Sequence, residues 1–292
     1  MRALLLCATL ALLPVCACEE VPPPKTGLSY TDSSRRAYET ALAEFTSHNW
    51  IESQALMREV KRKYSYSKYA RLAELRIADA DFEQDKFAEA LRGYKQFAHD
   101  HKTDAEELMY ARARAAETQY REIGDSFLMP ASEERDQATV VDSYKEIVGF
   151  IRDFPDAREA PRVCALLEDV TARLVRHEMY VARFYLQRDN FDAAVLRLQY
   201  AMRNYATEPP CSTKPRVMSS EVAPAIHTVP PRMENAFGLA PDTLLLLGEV
   251  YMKMRKFDDA KAAFGAILGR YKESPLTTLA NRYLDEIAHK KA

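Results

Sequence analysis

The sequence predicts an all-α protein, an elongated solenoid of about five helical hairpins. Glycine occurs only 8 times in 292 residues, and no Asn-Gly or Asp-Gly pair marks a β-hairpin turn. A pattern of small and large residues also recurs five times in a single frame along the chain. Such recurrence is the sequence signature of a repeat architecture.

The clearest repeat lies near the end of the chain and resembles the tetratricopeptide pattern. Gly248 and Tyr251 end one helical run, helix A, and Phe257, Ala260 and Phe264 follow in the next, helix B. A small residue at Gly248 lets helix A approach its partner, Ala260 is the close-contact point, and Phe264 packs back. Closely packed helical hairpins require this alternation of small and large side chains.

The same frame recurs upstream. The residues that open helix B are Trp50, Phe87, Val140, Phe191 and Phe257. Three positions later all residues are small: Ser53, Ala90, Ser143, Ala194 and Ala260. Seven positions later all are large: Met57, Tyr94, Ile147, Leu198 and Phe264. Fourteen positions later an aromatic residue closes four units, and His101 is the exception.

This frame predicts four tetratricopeptide-like hairpins over residues 30–206 and a fifth over 242–288. Their spacings are 37, 53, 51 and 66 residues, whereas an ideal repeat has about 34. Longer helices or inserted loops must therefore be present. One insert is expected at 123–136, and a proline-rich loop at 207–241, where seven prolines oppose a helix. That loop is either a binding feature or a tolerated surface insertion.

The start of the chain predicts export. Arg2 precedes an apolar run over residues 3–13, which is too short to span a bilayer. Val15-Cys16-Ala17-Cys18 then resembles the lipobox of bacterial lipoproteins. We therefore expect a signal peptide over 1–17, cleavage before Cys18 and acylation of its thiol. An ordinary secretory peptide is the alternative, and Cys16 fits less well because bulky Val15 would precede the cleavage point.

Residues 18–29 are expected to form a lipid-anchored tether, because Pro22, Pro23 and Pro24 favour extended chain. The residue after Cys18 is Glu19, not the Asp often linked to inner-membrane retention of lipoproteins. We therefore expect the periplasmic face of the outer membrane. In that compartment Cys164 and Cys211 either form a disulfide or remain apart, and the helical setting of Cys164 favours simple apolar packing.

No catalytic or cofactor motif is present, so we expect a protein that is not an enzyme and has no metal or cofactor. The sequence lacks a nucleophile elbow, a P-loop and a dinucleotide-binding glycine set. His99-Asp100-His101 falls at a turn, where a solvated cluster is favoured over a metal site. A net charge of −2 provides no basic excess for nucleic acid. The 84 charged residues are expected on solvated helix faces.

Several stretches resemble the BamD family, lipoproteins of the β-barrel assembly machine. They are residues 38–41 with 49–50, 64–70, 150–157 and 177–198. The phrase Glu178-x-x-Val181-Ala182-x-x-Tyr185 is the most specific. The resemblance implies that N-terminal hairpins engage unfolded outer-membrane β-barrel proteins. It also implies that C-terminal hairpins dock on the periplasmic domains of a BamA-like barrel subunit, alongside other lipoproteins of the machine.

The resemblance also suggests which residues bind partners. An arginine early in helix B of the fourth hairpin contributes to docking in that family, and Arg197 occupies the matching place, with Arg183 and Arg188 nearby. Each could equally be an ordinary surface arginine.

The repeat frame, in turn, places Arg35 and Tyr38 on one face of the first helix. Either the apolar members of that face are core, or both residues reach the concave surface. There they would hold the terminal carboxylate and an aromatic side chain of an extended peptide.

Two other functions are weighed against this one. A pilotin-type repeat lipoprotein that assists secretin or pilus assembly would have near-regular repeats, and the irregular spacing argues against it. A lipid-anchored cell-wall enzyme would need a catalytic constellation, which the sequence does not offer.

Overall fold

The computed structural model describes residues 27–125, 128–205 and 236–291. Over these residues the chain forms eleven α-helices and one short 3-10 turn, with no strand. The expected all-α class is therefore confirmed. The signal peptide, Cys18, most of the tether and most of the proline-rich loop lie outside the described residues.

The helices follow one another as an array of hairpins in which each packs against the next. Their bounds are α1 Gly27–Thr46, α2 Trp50–Lys63, α3 Lys68–Glu83, α4 Phe87–Asp100, α5 Ala105–Arg121, α6 Ala138–Asp153, α7 Ala160–Leu186, α8 Phe191–Asn204, α9 Ala236–Lys253, α10 Phe257–Arg270 and α11 Thr277–Lys291. The first helices of successive hairpins also contact one another, as in α1 with α3, α5 with α7, and α7 with α9. This arrangement produces the predicted elongated solenoid.

The repeat frame is confirmed residue by residue. The residues three and seven positions after the predicted first residue of each helix B are completely buried in all five hairpins. They run from Ser53 and Met57 in the first hairpin to Ala260 and Phe264 in the fifth. The residue at the fourteenth position caps the C-terminus of its helix in every hairpin. His101, the one non-aromatic of that set, packs its ring 4.4 Å from that of Phe97. The small and large positions therefore form the joint of each hairpin.

Two expected boundaries differ from the structure. Helix α1 begins at Gly27, inside the tether expected up to residue 29, because the three prolines all precede it. Helix α9 begins at Ala236 and contains Pro241, which the sequence prediction assigns to a loop ending at 241. Pro241 is the sixth residue of α9, beyond the first four N–H groups that have no partner within the helix, so the helix accommodates it at the loss of one backbone hydrogen bond.

The fifth hairpin carries an additional helix. Ala280 and Ile287 of α11 are completely buried in one cluster with Phe264 and Ile267 of α10. The region expected as a single hairpin over 242–288 is therefore a hairpin covered by a third helix. Solenoids need such a terminal element because the last repeat has no neighbour to bury its apolar face.

Four of the five hairpins turn through the same backbone conformation, which the sequence did not reveal. His48, Asp85, Asp189 and Arg255 have φ between 55° and 62°, and each lies two residues before a helix B. In each turn the next residue donates its N–H to a carbonyl five residues back, as Lys86 does to Asp81 at 2.9 Å. This is the Schellman termination of a helix. Glycine is usual at such a position, and because none of these four residues is glycine, the sequence did not indicate the turns.

Cys164 lies in the core with 6% of its surface exposed, as its apolar character predicted. It is also disulfide-bonded, so the favoured expectation of apolar packing without a bridge is wrong. Cys164 is the only cysteine in the described part of the chain, and Cys211 lies outside the described residues.

Candidate docking surfaces

The fourth hairpin, formed by α7 and α8, positions the arginines singled out in the sequence. Asn190 caps α8 by accepting a hydrogen bond from the Ala193 N–H at 3.3 Å. The frame then turns Ala194 and Leu198 into the core, where both are completely buried. Arg197 precedes Leu198 by one residue, about 100° around the helix, and completely buried Ala201 by four, so it lies at the edge of the buried face. Its side chain is 45% exposed, as predicted.

Arg197 is held by a buried carboxylate on the preceding helix. Its Nη1 lies 3.4 Å from Oε2 of Glu178, whose side chain is only 9% exposed. Glu178 opens the most family-specific phrase of the sequence. The contact fixes the guanidinium group to α7 while leaving nearly half of the side chain accessible to a partner.

Exposed apolar side chains lie on both helices that carry this ion pair. Tyr180 and Phe184 lie one turn apart on α7, and Leu196 and Tyr200 lie one turn apart on α8; all four are at least 40% exposed. These four make up half of the eight large hydrophobic residues that are exposed in the described chain. Exposed apolar groups concentrated in this way are typical of protein interaction sites. We call the four residues together with Arg197 the fourth-hairpin surface.

Arg188 and Arg183 are exposed as well, but the three arginines do not form one cluster. The Arg188 guanidinium stacks 3.6 Å above the Phe184 ring and donates to the Phe184 carbonyl oxygen at 3.3 Å. Arg183 lies in the last turn of α7. Arg188 follows the end of α7 at Leu186, so these two arginines lie at the C-terminal end of α7 while Arg197 lies on α8.

The far end of α8 is held by three tyrosines. The Tyr205 ring packs edge-on against Tyr144 of α6 at 5.4 Å, and its hydroxyl lies 3.3 Å from that of Tyr200. Burial, followed by the Tyr200 hydroxyl, raises the pKa of Tyr205. These contacts join the surface to the third hairpin and limit the movement of Tyr200.

The first hairpin separates the two residues expected to hold a peptide. Tyr38 is only 7% exposed, with its ring 5.6 Å from that of Tyr69. It is therefore core, as the alternative interpretation predicted, and the proposed contact of its ring with a peptide is wrong. Arg35 is half exposed, with weak contacts to Asp32 at 3.5 Å and Glu39 at 3.9 Å. Only Arg35 remains available to a carboxylate.

A buried ionic network lies where we expected charges only on the surface. Arg76 and Asp79 of α3 and Arg114 of α5 are at most 1% exposed. Arg76 Nη1 lies 3.0 Å and Arg114 Nε 3.3 Å from the Asp79 carboxylate. Tyr94 and Tyr110 donate their hydroxyl protons to the same carboxylate. The network therefore joins the second hairpin to the third.

A second carboxylate, that of Glu117, extends this network. Arg114 Nη1 donates to Glu117 at 2.8 Å, and Arg162 of α7 also pairs with Glu117. Burial alone would raise the pKa of Asp79, but Arg76, Arg114 and the two hydroxyls outweigh it and lower that pKa. Sequence reasoning missed these residues, although Arg114 stands in a run of alanines on a helix whose core positions the frame could locate.

The insert expected at 123–136 is tied to α7 by ion pairs. Asp125 receives two hydrogen bonds from Arg173, at 2.6 and 3.0 Å, and one from Arg135 at 2.8 Å. Arg135 also donates to the Gly124 carbonyl oxygen at 2.8 Å. The hydrogen bonds from Arg173, and after them the one from Arg135, lower the pKa of Asp125. The described part of the insert is thus fixed against the solenoid.

Within the described residues, no three metal-ligating side chains converge. His99 contacts Asp100 at the surface, while His101 turns inward to bond Glu74 at 2.9 Å. The turn cluster is therefore divided between solvent and packing. No helix in the described chain is long and apolar enough to cross a membrane.

The model of the YfiO family, described as outer membrane lipoproteins, matches residues 31–220 of this sequence. The chain belongs to that family. The match covers all four of the first hairpins, including the fourth-hairpin surface and the buried network. It confirms the family membership predicted from the residues around Tyr64, Phe154 and Glu178.

Curated relatives agree with this placement. The outer membrane protein assembly factor BamD of Neisseria meningitidis serogroup A is 23% identical over 208 residues, 70% of this chain and 78% of the relative. The protein of the same name from Caulobacter vibrioides is 22% identical over 234 residues, 80% of this chain and 64% of the relative. The crystal structure of a thermophilic TPR protein from Thermus thermophilus covers 86% of this chain and 98% of its own, at 12% identity and a TM-score of 0.32.

Proposed function

We propose that this YfiO-family chain is a scaffold of the β-barrel assembly machine, anchored in the outer membrane by acylated Cys18. It binds unfolded outer-membrane proteins and docks on the periplasmic domains of a BamA-like barrel subunit, next to other lipoproteins of the machine. The relatives named as outer membrane protein assembly factors support this role. The observation that carries the docking is the fourth-hairpin surface.

The physical case for docking rests on the combination of charge and apolar area. Arginine and tyrosine are enriched among the residues that carry most of the binding energy of protein interfaces, and fixing an arginine side chain in one conformation costs entropy. Arg197 is already oriented by Glu178, so part of that cost is met before the partner arrives. A partner with a carboxylate facing Arg197 and apolar groups facing Leu196 and Tyr200 would be complementary.

Substitution of Arg197 by glutamine tests the docking. Glutamine keeps a donor for Glu178 but removes the charge. We expect Arg197→Gln to weaken co-purification with the barrel subunit from detergent-solubilised outer membranes, by about 2–5 kcal/mol if the pair is partly buried in the complex. Arg203→Gln is the matched control, since Arg203 is exposed on the same helix. Wild-type recovery of the barrel subunit with Arg197→Gln, or equal loss with Arg203→Gln, would contradict the proposal.

Client binding is proposed for the first hairpin through Arg35, without Tyr38. The exposed guanidinium is suited to a carboxylate at the end of an extended chain. Arg35→Gln should weaken binding of an unfolded outer-membrane protein while the melting temperature is unchanged. Arg36→Gln, the exposed neighbour, is the control.

The alternative of a pilotin-type lipoprotein predicts a different partner. Mass spectrometry of proteins recovered with the tagged full chain distinguishes the two. A secretin as the main partner, in place of a barrel subunit with its associated lipoproteins, would favour the alternative.

A further inference from the structure

The exposed side chains of the fourth-hairpin surface lie on two different sides of the hairpin. Glu178 reaches Arg197 of α8 at 3.4 Å, so this side of α7 faces α8. Completely buried Ala182 lies on the same side, about one turn further on. Tyr180 is two residues from each of these, and Phe184 is two residues after Ala182, which is about 200° around the helix. Both rings therefore lie on the side of α7 that is opposite α8.

The exposed residues of α8 lie on its outer side in the same way. Leu196 and Tyr200 are each two residues from Leu198, which is completely buried in the core cluster shared by α7 and α8. Because the two helices pack against each other, the exposed pair of α8 and the exposed pair of α7 lie on opposite sides of the hairpin. A partner that docks on Leu196 and Tyr200 therefore does not cover the two rings of α7.

The side of α7 that carries these rings is covered by the insert in the preceding turns. Arg173, seven residues before Tyr180, donates two hydrogen bonds to Asp125 at 2.6 and 3.0 Å. His177, seven residues before Phe184, has its Nδ1 2.7 Å from a backbone carbonyl oxygen of the insert. Seven residues make nearly two complete turns, so these four side chains of α7 lie on one side. That side is occupied in its first half and exposed in its second.

The insert shows which chemistry this side of α7 accepts. Residues 124–136 contain four acidic residues, one basic residue and an apolar stretch at 127–129. The insert is bound to α7 through a carboxylate and a backbone carbonyl oxygen, which are both hydrogen-bond acceptors. An acidic segment that contains apolar residues is therefore already seated on the first half of this side.

The exposed half carries the complementary charge. Residues 179–188 include Arg183 and Arg188 and no acidic residue. The Arg188 guanidinium lies 3.6 Å above the Phe184 ring, and Arg183 comes one helical turn after Tyr180. A cation at the end of a helix also suits the helix dipole, but that accounts for neither exposed ring. An arginine within about one turn of each ring suits a ligand that brings both carboxylates and apolar groups.

We propose that the exposed side of α7 is a second binding face, which takes an acidic peptide segment with apolar side chains from a partner protein. Its residues, which we call the α7 face, are Tyr180, Arg183, Phe184 and Arg188. Carboxylates of the segment pair with the two guanidinium groups, and its apolar side chains pack on the two rings. This goes beyond the proposed docking of the barrel subunit on Arg197, and the fourth hairpin can hold both ligands at once.

Fluorescence anisotropy with a synthetic peptide tests the α7 face in the full chain. The probe is a short fluorescein-labelled peptide in which glutamate and leucine alternate, and the reference peptide has lysine in place of glutamate. We expect the acidic peptide to bind and the basic peptide not to bind. Added salt should weaken the binding because the pairs form at an exposed surface. No binding of the acidic peptide, or equal binding of the two peptides, would overturn the proposal.

A pair of ring variants locates the binding. Tyr180→Ser with Phe184→Ser should weaken binding of the acidic peptide by about tenfold or more, because the apolar part of the face is lost. Leu196→Ser with Tyr200→Ser is the matched control, since it removes exposed apolar groups from the other side of the same hairpin and should leave this affinity unchanged. Equal affinities of the two double variants would show that the peptide does not bind on the α7 face.

A pair of charge variants tests the same face while both rings remain. Arg183→Gln with Arg188→Gln should lower the affinity and its salt dependence together. Arg203→Gln with Arg270→Gln is the control, because both arginines are exposed in the last turns of other helices. Arg197→Gln should also leave peptide binding unchanged. The proposal is wrong if Arg197→Gln weakens binding as much as the first pair does, since the peptide then occupies the docking site of the barrel subunit.

Two further results separate this proposal from the proposed function. If the ring variants weaken binding of an unfolded outer-membrane protein and leave binding of the acidic peptide unchanged, the α7 face binds clients. In that case the second binding face is wrong while the proposed function stands. If the peptide binds as expected but Arg197→Gln leaves recovery of the barrel subunit at the wild-type level, the docking on Arg197 is wrong while the α7 face stands.

Discussion

Arg197 of α8 and Glu178 of α7 form an ion pair in which the cation is accessible and the anion is buried. This asymmetry means that reversing the charge at position 197 does more than remove a docking group. It would place a second carboxylate beside Glu178, which has little water to screen it.

We therefore predict that Arg197→Glu lowers stability as well as partner binding. The cost should be about 1 kcal/mol, at the upper end for a partly exposed pair. Thermal denaturation measures it, and Arg203→Glu on the same helix should stay within about 0.5 kcal/mol of wild type, as surface substitutions usually do. An Arg197→Glu melting temperature equal to that of Arg203→Glu would show that Glu178 does not need its partner.

Asp79→Asn should be strongly destabilising. The substitution leaves Arg76 and Arg114 buried without the carboxylate between them, and breaking a buried ion pair costs roughly 3–5 kcal/mol. Urea denaturation followed by circular dichroism gives the free energy. Asp142→Asn, which changes an exposed pair on α6, is the control. A loss below about 1 kcal/mol would show that water or rearrangement compensates for the missing charge.

The same carboxylate predicts a pH dependence. Since the pKa of Asp79 is lowered in the folded state, its ionised form stabilises the fold above the unfolded pKa of about 4. That stabilisation is lost as the pH falls from there through the folded pKa. Wild type should therefore lose stability in acid more steeply than Asp79→Asn, in melts recorded across that range. Parallel curves would indicate that other carboxylates control the acid transition.

Two glycines of the fifth hairpin should respond oppositely to alanine. A Cβ at Gly248 would overlap the ring of Phe264, with Cδ1 2.9 Å away, whereas a Cβ at Gly265 would meet nothing within 4 Å. Gly248→Ala should cost about 1–3 kcal/mol through overpacking. Gly265→Ala should gain up to about 1 kcal/mol from helix propensity. Calorimetry of both variants checks the sign, and stabilisation by Gly248→Ala would contradict the close helix approach.

Release of the insert should follow loss of Asp125. Asp125→Ala removes the carboxylate that holds Arg135 and Arg173 together. Trypsin cleavage after Arg135 should then accelerate, because a protease needs an accessible, deformable backbone. Asp142→Ala, which releases Lys145 within α6, should not change cleavage after Lys145. An unchanged rate after Arg135 would show that the backbone contacts alone hold the insert.

Sequence reasoning succeeded where spacing alone decides structure. The first residue of helix B was located in four hairpins, since Trp50, Phe87, Phe191 and Phe257 each begin a helix. For the third hairpin, Val140 comes two residues after the start of α6. Arg197 was correctly expected to be exposed because its angle follows from the same frame.

The failures concern properties that a single-helix pattern does not contain. Tyr38 could be assigned to the core or the groove only once Tyr69 from the next hairpin was known to cover it. The burial of Arg76 and Arg114 depends on three helices meeting, and composition suggested solvated charge. The bond at Cys164 depends on the position of a second sulfur, which no local rule provides.

The nearly constant length of helix B has a consequence for how this family can diversify. Helices α2, α4, α8 and α10 each have 14 residues and α6 has 16, while α1, α3, α5, α7 and α9 range from 16 to 27. The joint is thus a module of nearly fixed size, and most of the variation in length falls on the other arm. Each helical turn added to helix A would lengthen that helix by about 5.4 Å and leave the contact between helices A and B unaltered. Hairpins whose first helices differ in length should therefore be exchangeable between relatives.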